Sequence, residues 1–199
     1  MVARARNSKN VLKICILGEG GVGKTTLTKR IITGTFDSTT KMTIGVDFHL
    51  LKTSIFDPLA SEYSDAPQIP IQAQIWDFAG EERFRFMLAR YCKGAVGGLL
   101  LYDITRYSTT NYIDEWFSIW KDNAPPSSPL LLVATKSDLI APEREERAME
   151  TIIELAERLD IPNFYIISSL DGKNIHVLTN DLLISAYKFN YNYLKEQGF

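Results

Sequence analysis

An α/β fold, with a doubly wound and mostly parallel six-stranded sheet, is predicted here from three observations. Short apolar runs alternate with longer stretches of helical spacing along nearly the whole chain. Several of those runs are continuously apolar rather than alternating, as expected for strands covered on both faces. The first run passes through a glycine-rich turn directly into a helical pattern, the junction at which open α/β sheets place their ligands.

The elements follow in order. Strand-like runs occupy Val11–Leu17, Val46–Phe56, Ile69–Asp77, Val96–Asp103, Leu130–Thr135 and Phe164–Ser168. Helical patterns fill Thr26–Thr33, Phe84–Lys93, Thr109–Asn123, Pro142–Leu159 and Asn174–Leu194. The last is the clearest, with Ile175, Leu178, Leu182, Ala186, Phe189 and Tyr193 spaced by threes and fours. Thr109–Asn123 sets Ile113, Trp116, Phe117 and Trp120 on one face, which reads as core. Glu143 and Arg147 fall four apart and read as a solvated helix face. Right-handed crossovers join the parallel strands. Residues 58–69, with Pro58 and Pro67, and the stretch Asn123–Pro129 read as loops.

Bulk properties narrow the classes. A chain of 199 residues, 45% apolar and 23% charged, suits one soluble domain with a substantial core. A net charge of −2 argues against a general nucleic-acid surface. Two cysteines, Cys15 and Cys92, make no disulfide framework, so a reducing, cytoplasmic compartment is expected. No run approaches the length of a membrane span. Residues 1–10 read as a disordered basic tail, 11–195 as the folded domain and 196–199 as a C-terminal tail. No cysteine lies near the C-terminus to carry a prenyl group, so no membrane anchor is expected from that motif.

The turn after the first strand is Gly18-Glu19-Gly20-Gly21-Val22-Gly23-Lys24-Thr25, the G-x-x-x-x-G-K-[ST] pattern between strand and helix. Glycines let backbone N–H groups face phosphate oxygens without a Cβ in the way, and the helix that follows presents its positive end to the same anion. Glu19 to Thr26 are therefore candidate phosphate-loop residues. Lys24 would reach the β- and γ-phosphates, and the Thr25 hydroxyl would ligate Mg2+.

Four further segments each lie at a strand end or loop. Thr43 could complete a Mg2+ shell and meet a γ-phosphate, or simply start a strand. Asp77, ending an apolar strand, could hold Mg2+, with Gly80 offering its N–H to the γ-phosphate. In Thr135-Lys136-Ser137-Asp138 a carboxylate could accept from the two adjacent N–H donors that guanine presents and adenine does not, with Lys136 lying along the base; an ordinary loop with a cap is the alternative. In Ser168-Ser169-Leu170 a backbone N–H could meet the guanine carbonyl.

Taken together these segments resemble the small GTPases of the Ras superfamily, most of all the Rab family, from about Val11 to Tyr193. The marks are Ile44-Gly45-Val46-Asp47-Phe48, Gln74-Ile75-Trp76-Asp77, Glu82-Arg83-Phe84, Tyr91-Cys92-Lys93-Gly94-Ala95 and Leu101-Tyr102-Asp103-Ile104-Thr105. The resemblance implies a P-loop G domain with one antiparallel edge strand and a GTP/GDP site served by Mg2+. It implies slow GTP hydrolysis involving Lys24, Thr43, Gly80 and Glu81, and a metal held by Thr25, Thr43 and Asp77. Switch I would span about 34–45 and switch II about 78–92. Phe36 would pack against guanine, and Phe48, Trp76 and Tyr91 would face effectors, alongside exchange and GTPase-activating proteins. A monomer is expected.

Several residues depart from the Rab pattern. Thr135 stands where those proteins carry asparagine, and Ser169-Leu170 where they carry Ala-Lys; both variants resemble the Rho family's base loops. Glu81 replaces the glutamine that positions the attacking water. A carboxylate accepts better from water but repels the γ-phosphate, so the two effects oppose each other. No aromatic lies among Asp37–Met42, and residues 58–69 lengthen a tight hairpin. Arg83, Arg85 and Arg90 read as solvated surface. Two other functions stay open: a nucleotide-locked binding module with negligible hydrolysis, and a P-loop kinase or ATPase.

Overall fold

Strand β1 (Val11–Gly18) runs through the middle of a six-stranded sheet, ordered β2-β3-β1-β4-β5-β6. The computed structural model describes residues 10–60, 66–80 and 85–198. Expectations for the first nine residues, the tip of the 58–69 loop, and Glu81 to Phe84 lie outside the described residues. The other strands are β2 (Val46–Phe56), β3 (Gln68–Phe78), β4 (Gly97–Asp103), β5 (Leu130–Thr135) and β6 (Phe164–Ile166). The helices are α1 (Lys24–Thr33), α2 (Arg85–Cys92), α3 (Ile113–Asn123), α4 (Glu145–Leu159) and α5 (Ile175–Glu196). β2 runs antiparallel to β3 at one edge, and every other pairing is parallel.

The continuous apolar character of β1 has the cause expected of it. Leu12, Ile14 and Ile16 face one cluster with Leu27 of α1 and Leu178 and Leu182 of α5. Cys15 and Leu17 face the opposite cluster with Trp116 and Trp120 of α3 and Ile152 of α4. Burying each large apolar side chain contributes about 1.5–3 kcal/mol, so a strand sandwiched on both faces anchors the domain. The helices press close at the start of β4. A Cβ on Gly97 would meet Ala186 of α5 at 3.0 Å, and one on Gly98 would meet Trp120 of α3 at 2.8 Å.

Several boundaries differ from expectation. The run 109–123 opens as a 3-10 turn over Tyr107–Tyr112 before α3 begins. The Thr109 hydroxyl accepts from the Asp103 N–H at 3.1 Å and donates to the Arg106 carbonyl at 2.7 Å, bonds that compete with a regular helical start. β6 ends at Ile166 rather than Ser168, because the Ser168 N–H turns back to the Lys173 carbonyl at 3.2 Å. Asn10, assigned to the tail, accepts from the Gln72 N–H at 2.9 Å and so continues the bonding between β1 and β3. Likewise Gln68, placed in the inserted loop, already pairs with Phe56, so β3 begins one residue before the expected Ile69. Among the described residues no helix is long and apolar enough to cross a membrane.

Candidate functional site

The carboxyl ends of β1, β3, β4 and β5 meet at one edge of the molecule, and the sequence-predicted residues collect there. Gly21 and Gly23 take the left-handed conformation, φ 73° and 97°, which turns the loop between β1 and α1 around a common centre. A cleft of about 290 Å³ lies over that loop, lined among others by Gly20, Gly21, Thr25, Thr26, Thr43 and Gly80. Lys136 reaches the same cleft from the loop after β5.

Lys24 is the buried charge of this cleft. Its ammonium donates to the carbonyls of Gly18 at 2.8 Å and Glu19 at 2.9 Å. Burial pushes its pKa down to about 8, while the acids Asp77 and Glu19 pull the other way. An ammonium held against its desolvation in this manner suits an anionic ligand, which would offset the cost of burying the charge.

Beside it three hard oxygens converge. Thr25 Oγ1 lies 2.6 Å from Thr43 Oγ1 and donates to Asp77 Oδ2. Asp77 is fully buried, its other carboxylate oxygen has no hydrogen-bond partner among the described residues, and burial raises its pKa in spite of Thr25 and Lys24. One carboxylate and two hydroxyls beside a phosphate cleft form the donor set that Mg2+ uses, since that ion keeps further positions for phosphate and water. The residues present therefore fit the metal. They also bring Thr43, which precedes β2, against α1 and the end of β3.

Gly80 approaches from the other side. A Cβ there would fall on the Glu19–Gly20 backbone and on Lys24 Nζ, so only glycine lets the segment after β3 lie against the phosphate loop. Glu81 lies outside the described residues.

The segments expected to select a base also meet. Ser168, fully buried, donates to Asp138 Oδ1 at 2.6 Å and accepts from the N–H groups of Leu170 at 3.1 Å and Asp171 at 3.3 Å. The exposed Asp138 carboxylate is thereby oriented by the loop after β6. Leu170 spends its N–H on Ser168, which leaves Ser169 as the candidate donor to a base carbonyl. Phe36, just beyond α1, is exposed.

Thr135, expected in a base loop, has a structural partner instead. Its hydroxyl donates to the Val22 carbonyl at 2.6 Å and shares that proton with the Tyr102 carbonyl at 3.1 Å. It thus ties the phosphate loop to β4 from a buried position. Thr135→Val keeps the shape and removes the bond. We expect it to lower unfolding stability by about 1–3 kcal/mol, read as a fall in denaturant midpoint at unchanged slope.

Two residues here were not anticipated as site residues. Asp103, at the end of β4, is 1% exposed and accepts at Oδ2 from Lys136 Nζ at 2.6 Å and Arg106 Nε at 3.1 Å. Burial alone would raise its pKa, but the bonds from Lys136 and Thr105 outweigh it and hold the carboxyl below its ordinary value. Lys136 Nζ goes on to the Gly21 carbonyl at 2.8 Å, and Arg106 Nη2 to the Gly20 carbonyl at 2.8 Å. An aspartate closing an apolar strand, as Asp77 does, was the available signal for Asp103.

Away from the cleft, Phe48 packs edge-on to Trp76 with ring centroids 4.1 Å apart, and Trp76 lies 5.2 Å from Tyr91. Phe48 and Trp76 are direct partners in the β2–β3 register, and Phe48 stays 56% exposed, so the cluster offers an aromatic face on the sheet edge.

Comparison with known proteins gives the family. The model of the Ras family matches residues 13–188. The Ras-related protein rab-11.1 of Caenorhabditis elegans is 34% identical over 180 residues, covering 89% of this chain and 78% of the relative. Ras-related protein Rab-11A of Dictyostelium discoideum is 33% identical over 175 residues, 88% of this chain and 75% of its own. Ras-related protein RIC2 of Oryza sativa subsp. japonica is 32% identical over 181 residues, 89% and 76% respectively. The chain belongs to the Ras family and is a Rab-like small GTPase within it.

Proposed function

We propose that the protein is a guanine-nucleotide switch that binds GTP and GDP with Mg2+, hydrolyses GTP slowly, and has a Rab-like role in trafficking or signalling. Partners would read residues 34–45, residues 78–92 and the Phe48–Trp76–Tyr91 face. The observation that carries this reading is the oxygen cluster of Thr25, Thr43 and Asp77 beside the buried Lys24. It links the segment before β2 to the phosphate loop at the point where a γ-phosphate would lie.

Backbone N–H groups from Gly20 to Thr26 would hold the phosphates, with Lys24 against the β- and γ-oxygens. Thr25, Thr43 and Asp77 would hold Mg2+, whose charge would neutralise the phosphate oxygens. Thr43 and Gly80 would each give an N–H to the γ-phosphate, and its loss would release both segments. Asp138 would accept from guanine, with Lys136 along the base and Phe36 at its edge. Glu81 would accept from the attacking water but cannot donate to phosphate when ionised. Its two free, buried cysteines agree with a reducing compartment, and we place the protein in the cytoplasm as a monomer.

Single-turnover hydrolysis of bound GTP tests this reading. Slow, Mg2+-dependent release of phosphate is expected. GTP retained intact for hours, alone and with a GTPase-activating protein, would instead make the chain a nucleotide-locked module. ATP displacing GTP at equal concentration would contradict guanine selection.

A further inference from the structure

We propose that Arg106 is a positioning residue that clamps the outer face of the phosphate loop and thereby sets how long a nucleotide stays bound. The inference rests on the nucleotide-binding reading above and adds to it a residue outside the phosphate, metal and base segments.

A loop whose N–H groups face inward must turn its carbonyls outward. Two consecutive outward carbonyls, Gly20 and Gly21, each accept from a different cation, Arg106 and Lys136. Both cations are secured by one buried acceptor, Asp103 Oδ2, while Asp103 Oδ1 takes the Thr105 N–H at 2.9 Å and its hydroxyl at 2.6 Å. The carboxylate is thus saturated and cannot rotate without breaking four bonds. It sits at the end of a central strand, so the clamp is referred to the rigid sheet rather than to another loop.

Arg106 bridges by shape as well as charge. Nε faces Asp103 and Nη2 faces Gly20, a two-ended reach that a planar guanidinium supplies. A Cβ at residue 21 would lie 3.4 Å from Nη2, so the guanidinium rests in contact range of that glycine's outer face. Two effects on bound phosphate follow. A cation on a peptide carbonyl polarises the same peptide's N–H toward the anion. Holding the loop in its turned-in conformation removes a route by which the phosphates could be let go.

The arginine side chain is 47% exposed, so its effect is moderate. We expect Arg106→Ala to speed dissociation of fluorescently labelled GDP by about three- to tenfold, as for a charge-assisted bond partly screened by water. GTP release should speed by the same factor. The β-phosphate 31P resonance of bound GDP should also move, since the amides facing it lose polarisation. Preference for GDP over ADP, which depends on Asp138, should not change. Arg158→Ala removes only a surface pair with Asp114 and serves as the control. Arg106→Gln, which keeps a donor but no charge, replaces the alanine variant should that fail to fold. Dissociation within twofold of wild type, an unmoved β-phosphate resonance, or equal acceleration by the control overturns the inference. A wild-type protein that holds no guanine nucleotide would instead sink the underlying reading, which the same assay reports at its first step.

Discussion

Replacing Lys24 by methionine is expected to weaken binding of both GDP and GTP by roughly 30-fold to several thousand-fold, the cost of removing one side of a buried charge pair. Methionine preserves the length and packing of the stem, so the change is chiefly electrostatic. Lys24 is 6% exposed, and burial draws its pKa to about 8. Stripped of nucleotide, the variant should therefore melt at an unchanged or higher temperature than the wild type, because desolvation of the charge is relieved. The two measurements move in opposite directions. A structural role for Lys24 would make both fall together. Equilibrium titration with labelled nucleotide and a thermal melt of the stripped protein separate the cases.

Asp138→Asn is expected to reduce GTP affinity on the order of 10⁴-fold, because a site built to accept from guanine would then face it with a donor. The same variant should gain affinity for xanthosine triphosphate, whose carbonyl replaces the exocyclic amine. The reason lies in Ser168, which donates to Asp138 Oδ1 at 2.6 Å. That bond can persist to the asparagine oxygen and would present the amide nitrogen to the base. Competition of the two triphosphates against labelled GDP gives the ratio directly. An unchanged preference for GTP would remove Asp138 from base selection.

The parts of the site that could be read without coordinates are those written in contiguous residues. The phosphate loop is one, since strand, glycines, lysine and helix follow one another along the chain. Asp77 and Asp138 are others, because an acid at the end of an apolar strand, or in the short turn just after one, emerges at the carboxyl edge of the sheet. Phe48 and Trp76 were legible as a pair, though only the antiparallel β2–β3 register makes them direct neighbours. The clamp around Asp103 was not legible. Its bonds join residues 33 and 86 positions apart, and an arginine after a strand carries no local sign of where its guanidinium will rest. Nor could the tie from Thr135 to Val22, which spans 113 positions and depends on β4 and β5 flanking the turn. The helix start near Thr109 was misjudged because spacing reports which face is apolar, not which backbone bonds a threonine hydroxyl will take over.

The most direct measurement is to purify the protein without added nucleotide, denature it, and identify by chromatography what is released. The account predicts close to one guanine nucleotide per chain, and its absence from a preparation of the Lys24→Met variant. A wild-type protein that releases nothing, or releases adenine nucleotide in its place, would contradict it.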